Sequence, residues 1–166
     1  MSARLRAAAL PHSIRLPFLL LAALLLLAAP LLAPQESSAQ AREMRSVARP
    51  SINMRSGPGT RHDALWRLTR GYPLEIIGRE GSWYRVRDFE HDTGWIHRPL
   101  LSRTAHHIVK ANAANIRSAP DIGSRIVGKA RYGDVLRTVE KRRQWVKVRN
   151  DGGLVGWISR RLLWGW

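Results

Sequence analysis

The segment Asn53-Met54-Arg55-Ser56-Gly57-Pro58 is written twice in this chain. It returns as Asn115-Ile116-Arg117-Ser118-Ala119-Pro120, an offset of 62 residues. The same offset relates Gly71 to Gly133, Trp83 to Trp145 and Val86 to Val148. It also relates Gly94-Trp95-Ile96 to Gly156-Trp157-Ile158 and Leu100-Leu101 to Leu162-Leu163, with no gap between the copies. Self-similarity at a fixed period constrains architecture more than any other pattern. Here it specifies two copies of one small domain within 166 residues. Each copy has about 60 residues, near the lower limit for a domain that folds without staples. The chain has no cysteine, so no disulfide contributes. Stability must come from apolar and aromatic burial, to which the seven tryptophans are suited.

Residues 1–39 are a different text. Arg4, Arg6 and Arg15 precede a run from Leu16 to Ala33 that is almost wholly Leu and Ala, and Gln35-Glu36-Ser37-Ser38-Ala39-Gln40-Ala41 follows. A basic start, an apolar middle and small residues at a cut site make a secretory signal peptide. The alternative is an uncleaved membrane anchor, because the apolar run is near the length that spans a bilayer. On either reading the repeats lie outside the cytoplasm, periplasmic or secreted, and any membrane contact is through this segment alone.

Within each copy the strand signals are short and frequent. Leu74-Glu75-Ile76-Ile77 and Val135-Leu136-Arg137-Thr138-Val139 are rich in β-formers, and Gly71, Gly78, Gly81 and Gly152-Gly153 break the runs. Closely spaced strands and turns predict an all-β fold. At this size a five-stranded barrel is the all-β option with a reasonable core. The chain is therefore expected to form two tandem five-stranded β-barrels, over 46–103 and 108–166. Ser102 to His107 would be the linker, too short for the barrels to tumble independently.

Alternation assigns the faces. In Trp145-Val146-Lys147-Val148-Arg149 the two valines share one side and go to the core. Trp145, Lys147 and Arg149 share the outer side. By the same parity Tyr84 and Val86 point in, while Trp83, Arg85 and Arg87 point out. Gly94-Trp95-Ile96 and Gly156-Trp157-Ile158 place each Ile inward and Trp95 and Trp157 outward or at a rim. Outward aromatics flanked by cations make a platform for a ligand. The competing reading is that these tryptophans cap the barrel ends or seal the two repeats together.

The order Asn-Met/Ile-Arg-Ser-Gly/Ala-Pro, a turn Gly, Trp-x-x-Val, Gly-Trp-Ile and a closing Leu-Leu resembles the bacterial SH3-like (SH3b) domain family. Both copies match it. The resemblance implies tandem SH3-like β-barrels on an exported bacterial protein. It further implies binding of peptidoglycan or peptides, since such domains are commonly attached to cell-wall hydrolases. The second copy departs from the first at Ala119, which stands for Gly57, and at Asp121, which stands for Gly59. The family has no shared catalytic residue to carry over.

The chemistry that can be excluded is extensive. There is no cysteine nucleophile, no Gly-x-Ser-x-Gly elbow and no Gly-rich phosphate loop with a Lys. The histidines have no metal-ligand spacing, and His106-His107 adjoin in the expected linker. Asp88, Glu90 and Asp92 fall in a hairpin loop that lacks the Gly and closing Glu of a calcium loop. No catalytic site, metal or cofactor is therefore expected. The formal net charge of +16 attracts polyanions. Nucleic acid conflicts with the export signal, which leaves envelope anions. Because 24 of the 28 cations are Arg, a GC-rich genome explains the charge as well. The expected function is a non-enzymatic binding module for peptidoglycan or an envelope protein. Its candidate ligand residues are Trp83, Arg85, Arg87, Trp95, Trp145, Lys147, Arg149 and Trp157. A regulatory or structural subunit that activates a separate wall hydrolase is the alternative.

Overall fold

The computed structural model describes residues 42–166, so the predicted signal segment lies outside the described residues. The first copy contains β1 (Met44–Val47), β2 (Ser51–Arg55), β3 (Ala64–Thr69), β4 (Pro73–Glu80), β5 (Trp83–Arg87), β6 (Thr93–His97) and β7 (Leu101–Ser102). The second contains β8 (His106–Val109), β9 (Ala113–Arg117), β10 (Ile126–Arg131), β11 (Val135–Lys141), β12 (Trp145–Arg149), β13 (Val155–Ser159) and β14 (Leu163–Gly165). The 62-residue offset recurs strand by strand and in the 3-10 turns Arg98–Leu100 and Arg160–Leu162. Each copy is one antiparallel sheet, ordered β3-β2-β6-β5-β4-β1-β7 and β10-β9-β13-β12-β11-β8-β14. The all-β class is as expected. The strands number seven per copy, the additions being the short flanking pairs β1/β7 and β8/β14.

Parity sets the cores. Val86 and Ile96 are fully buried, as are Val146, Val148 and Ile158. Val47, Met54, Leu68, Leu74, Val86 and Ile96 form one cluster, with Tyr84 and Leu101 packed against it. Val109, Ile116, Leu136, Val148, Ile158 and Leu163 form the equivalent cluster. Among the described residues no second layer covers either sheet, so such burial requires each sheet to curl around its own apolar face. Ala114 and Ala130 in the second core stand where the first has Ile52 and Leu68. Val127 and Leu154 pack against the second core.

Two kinds of glycine make the repeat geometrically possible. Gly71 and Gly133 both take φ of 82° before β4 and β11, the left-handed region that costs glycine little. Gly94 and Gly156 lie where β6 and β13 pass close to β2 and β9. A Cβ on Gly94 would sit 2.9 Å from the Arg55 carbonyl oxygen, and one on Gly156 would sit 2.8 Å from that of Arg117. The Gly-Trp-Ile motif thus begins with glycine because a neighbouring backbone occupies the space.

The crossing between the copies differs from the expected linker. His106 and His107 belong to β8, where Leu136 and Arg137 are their partners. Only residues 103–105 connect the sheets. The buried Ser46 donates its hydroxyl to the Thr104 carbonyl at 2.8 Å and lies 3.0 Å from the Ser102 hydroxyl. Trp164 lies on β14 and pairs with Ile108 of β8, so this segment closes the second sheet.

Candidate binding faces

The outer faces carry a row of cation, tryptophan, cation across three strands. In the first copy Arg85 on β5 pairs with Trp95 on β6, and Trp95 pairs with Arg55 on β2. In the second, Lys147 pairs with Trp157 and Trp157 with Arg117. The register therefore places these side chains on one face in both copies, the face that alternation assigns to Arg85, Trp95, Lys147 and Trp157.

The rows differ in access. Trp83 and Trp95 are half-buried, and Arg85 is exposed. Trp157 is only 5% exposed, which corrects the expectation of an outward, available ring. The Arg142 guanidinium covers it at 4.6 Å from the ring centre, with the Lys147 ammonium at 5.8 Å. Parity names a face, but long cationic side chains can roof an aromatic on it. Trp145 is half-buried opposite Ser159. Arg87 is not a free arm either. It forms an ion pair at 3.0 Å with Glu75, whose side chain is largely buried. At the matching place in the second copy, Arg149 faces Arg137 directly.

The repeated Arg of the Asn-x-Arg-Ser motif has a role that charge alone did not reveal. Arg55 donates through Nη1 to the His62 carbonyl at 2.7 Å, and Arg117 donates to the Ser124 carbonyl at 2.8 Å. Each Arg braces the loop that follows its strand. The loops are filled differently. The His62 ring lies over Gly57, where an added Cβ would approach its atoms to 2.5 Å. The second copy has Ala119 there, and Ser124 replaces the histidine and donates its hydroxyl to the Ala119 carbonyl at 2.9 Å. Asp121 accepts the Gly123 N–H at 2.7 Å. The two loops are thus separate solutions to one turn.

Beside the braced loop of the first copy lies a cavity of about 230 Å³, lined by Asn53, Arg55, Thr60, Trp83, His97 and Leu100. Trp83 and His97 are cross-strand partners with ring centres 5.3 Å apart. Arg55 is held by its bond to His62, so its remaining N–H groups are pre-positioned. The cavity offers an aromatic wall, one fixed cation and neutral hydrogen-bonding groups.

A second concavity, of about 1130 Å³, runs between the copies, with Arg70 on one wall and Arg137 and Arg149 on the other. The junction beside it is aromatic. Tyr72 and Phe89 of the first copy lie 6.3 Å apart, and Phe89 lies 5.3 Å from Tyr132 of the second. The carboxylates of Asp88, Glu90 and Asp92 come within 4.8 Å of one another, an arrangement that could hold a cation. Asp88 is already engaged: Oδ1 accepts the N–H groups of Glu90 and Asp92 at 3.0 and 2.9 Å, and Oδ2 accepts the Tyr72 hydroxyl at 3.2 Å. Burial raises the Asp88 pKa, and burial together with Asp88 raises that of Tyr72. This loop is therefore tied down by its buried aspartate.

Residues 48–103 and 112–163 each match the sequence profile of the bacterial SH3 domain, together more than half the chain. The chain belongs to the bacterial SH3 domain family. It is 23% identical over 138 residues to YrvJ of Bacillus subtilis (strain 168), provisionally named an N-acetylmuramoyl-L-alanine amidase. That alignment covers 76% of this chain and 26% of YrvJ, so the chain spans about a quarter of that relative. Among solved structures, NlpC2 from Trichomonas vaginalis is 19% identical, with a TM-score of 0.33, over 76% of this chain and 49% of that one. An NlpC/P60 family protein from Bacillus cereus ATCC 10987 is 9% identical, with a TM-score of 0.34, over 74% and 56%. Among the described residues no helix of these SH3 repeats is long and apolar enough to cross a membrane.

Proposed function

We propose that the two SH3 repeats are a non-enzymatic binding module of the bacterial cell envelope, acting outside the cytoplasm on peptidoglycan or on a peptide of an envelope protein. The observation that carries this reading is the Trp83 cavity of the first repeat, where an aromatic wall meets a braced arginine. A volume of about 230 Å³ lies below the usual range for a whole small ligand. It suits one unit of a longer polymer, with Trp95 and Arg85 extending the contact along the face. Stacking on Trp83 combines with charge-assisted hydrogen bonds from Arg55 to carboxylate or carbonyl oxygens. The second repeat contributes less through its matching face, because Trp157 is roofed by its own cations.

Sedimentation with purified sacculi tests the reading. Trp83→Ala should weaken co-sedimentation by about 2 kcal/mol, the size of a hot-spot truncation. Retention of full binding by Trp83→Ala, together with its loss in salt of about 0.5 M, would reduce the site to a diffuse basic field. The similarity to part of YrvJ favours a second reading, in which the chain is a subunit that acts through a separate wall amidase. Capture of such an enzyme without affinity for sacculi would favour that reading.

A further inference from the structure

The groove between the repeats carries an arrangement of charge that the fold itself does not require. At matched positions the first repeat places Glu75 opposite Arg87, bonded at 3.0 Å, whereas the second places Arg137 opposite Arg149. Like charges directly opposite on neighbouring strands destabilise a sheet. Neither Arg137 nor Arg149 has an acidic partner among the described residues. Both line the groove, with Arg70 of the first repeat on the facing wall. The groove also holds His106 and two acids. Asp134 is occupied, accepting the Arg131 N–H at 2.8 Å. Asp151 is exposed and has no ion-pair partner among the described residues.

We infer that this groove is a second binding site, for a zwitterionic peptide whose carboxylate bridges Arg137 and Arg149 and whose amine reaches Asp151. An oxyanion between two guanidiniums replaces their repulsion with charge-assisted, bidentate hydrogen bonds. The acids on the same walls oppose a polyphosphate, while an ammonium group satisfies Asp151. The volume of about 1130 Å³ exceeds that of usual small-molecule sites and has room for several residues of extended chain. The site uses no residue of the Trp83 cavity, so the two readings stand or fall separately.

Calorimetry on the full-length chain tests it, with the tetrapeptide Ala-Glu-Lys-Ala, its acetylated and amidated forms, and inorganic polyphosphate as probes. The free tetrapeptide should bind best. Amidation of its carboxylate and the variant Arg137→Glu should each weaken it roughly tenfold or more. Arg137→Glu rebuilds the ion pair of the first repeat, so its melting temperature should not fall, and lost binding then cannot be lost fold. Asp151→Asn should abolish the preference for the free amine, and Trp83→Ala should leave affinity within about twofold. Unchanged affinity in Arg137→Glu, tighter binding of polyphosphate, or no binding of the tetrapeptide at millimolar concentration would each overturn the proposal.

Discussion

Tyr132 of the second repeat donates its hydroxyl to Glu90 of the first at 2.6 Å, and its ring leans on Phe89. This bond, first among its causes, raises the Tyr132 pKa. Together with the connection over residues 103–105 it ties the repeats to each other. Tyr132→Ala should release them while leaving both sheets intact. In weakly aligned samples, residual dipolar couplings of the variant should then need two alignment tensors where the parent needs one.

The inward assignment of Val148 is tested by charge. Val148 is fully buried, so Val148→Asp should unfold the second repeat at a cost of several kcal/mol for an unpaired buried charge. Arg149→Asp should change stability by within about 0.5 kcal/mol. Equal losses for the two in thermal melts would contradict the faces.

His107 is 2% exposed, with Nδ1 at 2.7 Å from the Thr138 hydroxyl and Nε2 at 2.8 Å from the Trp166 carbonyl oxygen. Burial lowers its pKa to about 4. Between pH about 6.5 and about 4 the unfolded chain binds a proton that the folded chain does not. Stability should therefore be full above pH about 6.5 and fall by about 3 kcal/mol as pH drops to about 4. Urea titrations over that range should show the slope, and His107→Gln should flatten it.

Gly94→Ala drives a methyl into the Arg55 carbonyl and Met54. It should cost about 1–3 kcal/mol, the usual penalty of overpacking. Gly152→Ala meets only ordinary contact with Asn150, 3.5 Å away, and should be nearly neutral in the same denaturation series.

The two tryptophan rows should separate by role. Trp157→Ala removes a ring that is 5% exposed and should cost about 3–5 kcal/mol of stability. Trp95→Ala removes a half-buried ring, so it should cost less stability and show its effect in sacculus binding. Melting curves and sedimentation on the same two variants distinguish them.

The repeat was legible because strand boundaries, bulges and turn glycines all keep the 62-residue offset. The core was legible from parity, since Val86 and Val148 alternate with cations, and Ile96 and Ile158 each stand between a tryptophan and a polar residue. Three features were not. His106-His107 carries little β-propensity, and it is a strand because Leu136 and Arg137 pair with it. The roof over Trp157 comes from Arg142, beyond the end of β11, where periodicity says nothing about cover. The bracing role of Arg55 and Arg117 was hidden because their carbonyl partners lie seven residues on, across a loop. Of the candidate ligand residues, Trp83, Arg85 and Trp95 share a face with the cavity or its border. Arg87 is paired with Glu75, and Arg149 belongs to the groove.

Each repeat closes its sheet with its own material: β7 pairs with β1, and β14 with β8. Neither copy borrows a strand from the other. A ribosome that has released the first repeat through Ser102 has delivered everything that sheet needs. The first copy can be complete while the second is still being made, and two matching strand sets need never compete for partners. A gene built this way can gain another copy in tandem without a strand exchange, the hazard that usually accompanies the duplication of a sheet.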